Sequence, residues 1–455
     1  MIHHRWFPSG FVLACCAILI ALWLPLIRYP VVSDTLNYAL LGQSLWEHGT
    51  YMLNGVPWSK HLPLHAILSY PLVKVFGLHL GMHIASLLGG FGVLLGTYLV
   101  LQRTVGRSAA LLTVLLVLLH PGFVLMSALG SADLLFTTLL LLSLAFYLEA
   151  DKDERWYVLA GLAAGLACLT RYNGAPLFLL FLGYTYWKRR AHLRSHWFWS
   201  GIVLGSAVFS LWLVRNMVTF GNPLASGYRD ELAQEAPSII GQFLSNVLYY
   251  GNPVHNVFPF LFIFAAAGVI LHARRQPFLF LAMLTAWVVS AVWWVQAIRF
   301  FFPGYPLLQA FAALALLDLW RRWKAIPWLM GLVAVVGMSV QAFSLCIYTY
   351  GACNAWFDRT VGLLPVNMGL TSEGFYAWGL ARDYLNAHAP KGATVYYEFI
   401  EDTGGHFRSD FRMTSDQSDC EAYRITQRPE DSEEIVFRTE AAPVTYVVER
   451  VCTSP

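Results

Sequence analysis

Residues 28–70 read RYPVVSDTLNYALLGQSLWEHGTYMLNGVPWSKHLPLHAILSY. One apolar run precedes this stretch and another follows it, which makes it a long loop at a membrane face. Asp34 stands near the end of the first apolar run, and Lys60, His61 and His65 close the loop around Leu62-Pro63-Leu64. Pro57, Pro63 and Pro71 each fix a backbone dihedral, so the segment is stiff. A carboxylate and a group of cations held against a bilayer suit chemistry on a charged lipid headgroup.

Composition sets the class. Of 455 residues, 57% are hydrophobic, 15% aromatic and 13% charged, with a mean hydropathy of +0.53. Soluble domains carry about 25% charged residues, so the chain is a polytopic membrane protein. A net charge of +3 is too small for a nucleic-acid partner. The seventeen Trp and twenty-two Tyr suit interfacial belts, and aromatic faces also serve as sugar platforms. The run at 10–27 lacks a small-residue cleavage site and has Trp23, Pro25 and Arg28 at its end instead, which reads as a retained helix. Cys15, Cys16, Cys168 and Cys346 lie in apolar segments and read as packing residues. No Cys-x-x-Cys spacing occurs, which speaks against a cysteine metal site. Cys420 and Cys452 lie in a polar tail and can pair if that tail faces an oxidising space.

A span needs about 20 apolar residues. Eleven are expected, at 10–27, 80–101, 108–126, 131–149, 156–170, 174–187, 197–214, 256–272, 278–297, 305–320 and 326–348. The fifth and sixth are short, and TRYNG (170–174) between them predicts a tight turn at membrane depth. With the amino terminus cytoplasmic, fourteen Lys and Arg fall on the inner side and seven on the outer side, the tail excluded. The positive-inside rule then puts the amino terminus inside and the Asp34 loop outside. Residues 1–350 form a transmembrane domain, and 351–455 a small α/β domain on the outer side. In that domain an amphipathic helix ends near Pro390, with strands at 394–399 and 443–449. None of the eleven Asn begins an Asn-x-Ser/Thr sequon, which accords with a bacterial inner membrane.

Ionisable groups at a membrane edge are expensive and therefore point to function. Asp34 also fits a helix N-cap, since Ser33-Asp34 precedes Leu36, Leu40, Leu41 and Leu45. Asp133, in GSADLLF (130–136), opens the fourth span, where a carboxylate favours the helix dipole. Either acid alone is ordinary; two on one face suggest a shared site. Lys60 is a compact phosphate partner, and neutral His61 or His65 can pass a proton. Two His four residues apart give only a weak metal signal. Arg171 sits beside the Asn173-Gly174 turn, and Arg215 and Arg299 stand at outward helix ends, where each wants an anion. The set suggests a phosphate-bearing lipid, handled by an enzyme or by a transporter.

At these residues the chain resembles the GT-C superfamily of polytopic glycosyltransferases. The resemblance leans to the branch of the lipid A aminoarabinose transferases and protein O-mannosyltransferases. It rests on Ser33-Asp34 through Tyr38, the Lys60-His61-Leu62-Pro63-Leu64 motif, and Asp133 after HPGF (120–123). AGLAAGLACLTRYNG (160–174), WLVRNMVTFGNPL (212–224) and RFFFPGYPLL (299–308) complete the series. Three departures stand out: Leu62 replaces one of two adjacent prolines, Arg171 stands where Lys is frequent, and Asp34 lacks an acidic neighbour. The last argues against protein mannosylation.

The resemblance implies transfer of a sugar from a polyprenyl-phosphate donor to a hydroxyl of a lipid, glycan or protein acceptor, with inversion. Asp34 would be the general base and Asp133 would position the acceptor or a cation. Lys60, His61, Arg171, Arg215 and Arg299 would hold the donor phosphate. No cofactor is required, although a divalent ion on Asp34 and Asp133 stays open. The rival is a transporter or flippase for a lipid-linked or anionic solute, or an inactive binding subunit. Transporters favour repeats and midplane sites, whereas this chain shows no repeat and clusters its charges at one face.

Overall fold

The structure is a computed structural model that describes residues 3–28, 31, 34–53, 55–228, 238–251, 259–292, 298–323, 332, 381–396 save 383, 412–414, 422–426, 434–438 and 447–451. The chain enters through α1 (His3–Trp23). The first loop then folds into α2 (Asp34–His48), a hairpin of β1 (Met52–Leu53) and β2 (Val56–Pro57), and α3 (Pro63–Phe76). There follow α4 (Leu78–Thr104), α5 (Arg107–Leu118), α6 (Pro121–Met126), α7 (Ala132–Glu149), α8 (Trp156–Cys168) and α9 (Pro176–Lys188). The bundle continues with α10 (His196–Phe220), α11 (Ile239–Gly251), α12 (Pro259–His272), α13 (Pro277–Ala291), α14 (Ile298–Phe301) and α15 (Tyr305–Arg322).

Each expected span holds a helix except 326–348, which lies outside the described residues apart from residue 332. Among the described residues, Leu78–Thr104, Ala132–Glu149, His196–Phe220 and Arg299–Arg322 are each long and apolar enough to cross a membrane. The span at 108–126 is broken in two, because Pro121 has no N–H to donate and the His120 side chain accepts the Phe123 N–H instead. The expected turn at 170–174 is a short 3-10 helix, Tyr172–Gly174, wound so tightly that a Cβ on Gly174 would meet the Cys168 nitrogen at 2.7 Å.

Glycine decides how closely α8 and α10 approach. Gly161 and Gly165 of α8 face Gly201 and Gly205 of α10, four residues apart on each helix. A Cβ on Gly161 would overlap the Gly201 carbonyl, and one on Gly205 would overlap the Gly161 carbonyl. Small residues at this spacing let two backbones touch, which replaces the hydrophobic drive that lipid cannot supply. Elsewhere α4 packs on α7, α12 on α15, and α2 on α3.

The two ends of the bundle differ. At one end the basic residues pair locally: Arg103 with Glu149 at 2.5 Å, Lys152 with Glu149 at 3.1 Å, and Arg189 with Asp151 at 2.5 Å. The opposite end carries α2, α3 and the first turn of α7. Its own apolar core includes Leu36, Leu41, Leu53, Leu62, Ala66, Met82 and Trp212.

In the tail, residues 381–388 save 383 are helical. The strands β3 (Thr394–Tyr396), β4 (Arg412–Thr414), β5 (Ala422–Thr426), β6 (Glu434–Arg438) and β7 (Val447–Val451) form one sheet in the order β4-β3-β5-β7-β6. Strand β3 runs parallel to β4 and β5, whereas β7 is antiparallel to β5 and β6. Cys420 and Cys452 lie outside the described residues.

Gly161→Val should force α8 from α10 and lower stability by about 1–3 kcal/mol, the usual loss on overpacking. Gly183→Ala, with no heavy atom near the added Cβ, should stay within about 0.5 kcal/mol. Unfolding of both variants in detergent, followed by tryptophan fluorescence, checks the contrast.

Candidate active site

The site begins at a junction of three segments. Thr35 Oγ1 donates to the Leu129 carbonyl at 2.7 Å, and His65 Nε2 meets the Gly130 carbonyl at 2.7 Å. Burial pushes the His65 pKa down to about 4, a drop that the Gly130 hydrogen bond only partly offsets. The ring is therefore neutral, and its one N–H donates to that carbonyl. Gly130 has φ +70°, and a Cβ there would come within 2.5 Å of Thr35 and 2.9 Å of Met82. Only glycine fits such a crowded left-handed corner. Through it, the first turn of α2 is tied to the loop that launches α7, and Asp34 and Asp133 both come within electrostatic range of Arg171.

Asp34 is the first residue of α2, and its carboxylate is held by side chains from outside that helix. His61 Nε2 lies 3.1 Å from Oδ1, and Arg299 Nη2 lies 3.5 Å from Oδ2. Burial alone would raise the carboxyl pKa. The hydrogen bond and the electrostatic pull of His61, followed by the charges of Arg299 and Lys60, outweigh it and hold the group well below the ordinary carboxylate range. Asp34 is ionised at neutral pH.

Asp133 is almost fully buried and meets Arg171 Nη2 at 2.7 Å. Arg171 stacks over the Phe300 ring at 5.6 Å, and Arg299 stacks over the same ring at 4.9 Å. One aromatic side chain thus carries both guanidinium groups. The Nε atoms of Arg171 and Arg299 are buried without a hydrogen-bond partner, as is Asp133 Oδ2. Phe300 also lines a narrow, mainly apolar pocket with Phe136, Leu140, Leu177, Ala282 and Val289, into whose wall Asn173, Thr285 and Ser290 also enter. An apolar cleft therefore opens beside the two guanidinium groups.

The structure brings Asp34, His61 and Arg299 into contact, with Lys60 in electrostatic range, and it pairs Asp133 with Arg171. Lys60 Nζ lies over the Tyr228 ring at 5.7 Å. Arg215 is used differently. It donates to the Trp58 carbonyl at 2.9 Å and the Tyr51 carbonyl at 3.0 Å, and so holds the hairpin backbone rather than a carboxylate. Among the described residues no three His, Cys, Asp or Glu side chains gather as a metal-ligand set.

Sequence reasoning missed Trp58, Tyr228 and Phe300, and gave Tyr38 no role. Tyr38 was legible, for it stands four residues after Asp34 on the same helix face. Burial drives its hydroxyl pKa up, so it stays a donor amid the charges of Arg171, Asp34, Asp133 and Arg299.

Comparison with known proteins agrees with this architecture. Residues 60–214 match the family described as dolichyl-phosphate-mannose-protein mannosyltransferase. The structure superposes on ArnT from Cupriavidus metallidurans bound to undecaprenyl phosphate, with a TM-score of 0.64 and 17% identity. That match covers 98% of this chain and 99% of ArnT. The fold is that of the GT-C superfamily. A second GT-C structure, the Archaeoglobus fulgidus oligosaccharyltransferase in complex with zinc and sulfate, gives 0.56 at 14% identity, over 89% of this chain and 62% of that one. The apo form of ArnT gives 0.61. No curated protein sequence matches the chain.

Two outcomes follow from the charges. Arg171→Leu leaves Asp133 buried and unpaired and should cost about 3–5 kcal/mol in chemical unfolding, with part regained in Arg171→Leu/Asp133→Leu. The lowered pKa of Asp34 adds stability that is whole above the ordinary carboxyl value of 3.8 and is lost as pH falls towards the depressed value. The melting advantage of the wild type over Asp34→Asn should therefore shrink once the pH drops below 3.8.

Proposed function

We propose that the chain transfers a sugar from a polyprenyl-phosphate donor to a hydroxyl acceptor on the outer face of the membrane. The observation that carries this reading is Phe300, which bears Arg171 and Arg299 on its ring while lining the apolar pocket. A phosphate suits the two guanidinium groups, whose buried Nε–H donors lack acceptors, and the apolar wall beside Phe300 suits the first carbons of an isoprenoid chain. The undecaprenyl phosphate bound in the ArnT structure and the family matched at 60–214 support the same donor class.

In this reading the acceptor oxygen attacks the anomeric carbon as the bond from that carbon to the phosphate oxygen breaks. Polyprenyl phosphate leaves with the bonding pair, and the configuration inverts. Asp34 takes the hydroxyl proton. Arg171, Arg299 and Lys60 stabilise the charge on the departing phosphate. Asp133 holds Arg171 in place. Fixed cations neutralise the phosphate, so the scheme invokes no metal. The amino terminus is cytoplasmic in a bacterial inner membrane, and residues 221–255 and 351–455 select a lipid, glycan or protein acceptor. The pairing of basic residues at the end opposite Asp34 supports that orientation.

Purified wild type and Asp34→Asn, each given a panel of short-chain polyprenyl-phosphate sugars with membrane lipid and glycan extracts, test the reading. Wild type should release free polyprenyl phosphate, and Asp34→Asn should lower kcat by about 10²–10⁴. Release by both proteins would move the base elsewhere. Lipid binding without release by either would favour a transporter or binding subunit. Because free Asp34 is already ionised, kcat/KM should show no acid limb from this group between about pH 5 and 8.

A further inference from the structure

His61 has two ring nitrogens, and both are committed. Trp58 Nε1 donates to Nδ1 at 2.9 Å, with the two ring planes 11° from parallel. An indole N–H only donates, since the nitrogen lone pair belongs to the ring. Nδ1 must therefore be bare, with its in-plane lone pair aimed at the indole. A neutral imidazole with a bare Nδ1 carries its proton on Nε2, the atom 3.1 Å from Asp34 Oδ1. The backbone of this pair is anchored as well: Tyr51 Oη donates to the His61 carbonyl at 3.1 Å, and Arg215 holds the Trp58 carbonyl.

We propose that Trp58 and His61 are positioning residues: the indole locks His61 as the neutral Nε2–H tautomer, which fixes Asp34 by one hydrogen bond to Oδ1. The proposal rests on Asp34 as the base and departs from a phosphate-binding His61. No ring nitrogen is left to hold phosphate, because one donates to Asp34 and the other accepts from Trp58. The same occupancy closes a proton path. Nε2 already holds a proton and the Nδ1 lone pair is engaged, so the proton taken by Asp34 stays there until solvent or the leaving phosphate accepts it. Oδ1 is occupied by His61, which assigns the proton transfer to Oδ2, the oxygen that faces Arg299 at 3.5 Å.

The charged and titratable groups around the imidazole come from several elements. Asp34 and Tyr38 face it from α2, His65 shares the Tyr38 ring from α3, and Lys60 adjoins it in the loop. Tyr228 approaches from beyond α10, and Arg299 lies across Asp34 from α14. Removal of the indole donor would free Nδ1 to take a second proton, which would add positive charge beside Asp34 and weaken it as a base at low pH.

The test uses the full chain labelled with ¹⁵N-histidine in nanodiscs, with the His61 signal identified by its loss in His61→Gln. At pH 7 the wild-type spectrum should show a neutral ring with its proton on Nε2 alone. A proton on Nδ1, or on both nitrogens, overturns the proposal whether or not any variant folds. In Trp58→Phe a second tautomer or a doubly protonated ring should appear, and an acid limb should enter the pH profile of kcat. Its kcat should fall by up to about tenfold, the worth of one hydrogen bond between neutral groups, with donor KM within about twofold. His61→Gln, whose amide N–H can replace Nε2–H, should keep more activity than His61→Leu. An unchanged tautomer and pH profile in Trp58→Phe also overturns the lock. A wild type with the expected tautomer and no transferase activity would sink the transferase reading and leave the lock standing.

Discussion

The ion pair between Asp133 and Arg171 is the contact on which the geometry of the site depends. Two opposite charges in a low-dielectric bundle are tolerated only when each is held against the other. That requirement fixes the start of α7 against the turn that ends α8, and it sets where Arg171 can meet the Phe300 ring. Asp34 is then placed by its neighbours rather than by its own helix. With His61 neutral, the carboxylates of Asp34 and Asp133 face Lys60, Arg171 and Arg299, which leaves one positive charge in excess. A site with that balance attracts an anion, and burial strengthens the attraction.

Charge and oil meet at one side chain. Phe300 carries two guanidinium groups over its ring and lines a mainly apolar pocket, so charge and apolar surface adjoin at a single side chain. Separate polar and apolar sites would not distinguish a lipid phosphate from an inorganic one. Adjacent sites that share a wall do.

Much of this was legible in the sequence because membrane helices announce themselves by length and apolarity. The short fifth and sixth spans and the turn at 170–174 followed from composition, and the expense of membrane-edge charges singled out Asp34, Asp133, Arg171 and Arg299. What escaped notice depends on side-chain geometry that spacing alone does not show. Arg215 reads as a phosphate ligand until its carbonyl partners at Tyr51 and Trp58 are seen, more than 150 residues away. Trp58 reads as one of many interfacial indoles, and only its ring plane against His61 gives it a role. Two local signals were present and unread. Gly55, with φ +78°, marks the hairpin turn between β1 and β2, and the paired glycines of AGLAAG (160–165) and GIVLG (201–205) mark a helix seam.

That seam bears on how the protein is assembled in the membrane. The principal neighbour of α10 is α8, and most of the remaining surface of α10 is exposed, including Val203, Leu211, Val214 and Val218. A helix held mainly along one glycine stripe can dock only after its partner is in place. Its arrival then delivers Arg215 to the Tyr51 and Trp58 carbonyls. The loop that carries Lys60 and His61 is therefore set only once α10 has packed, and the site is complete only when α14, some three hundred residues along the chain, adds Arg299 and Phe300.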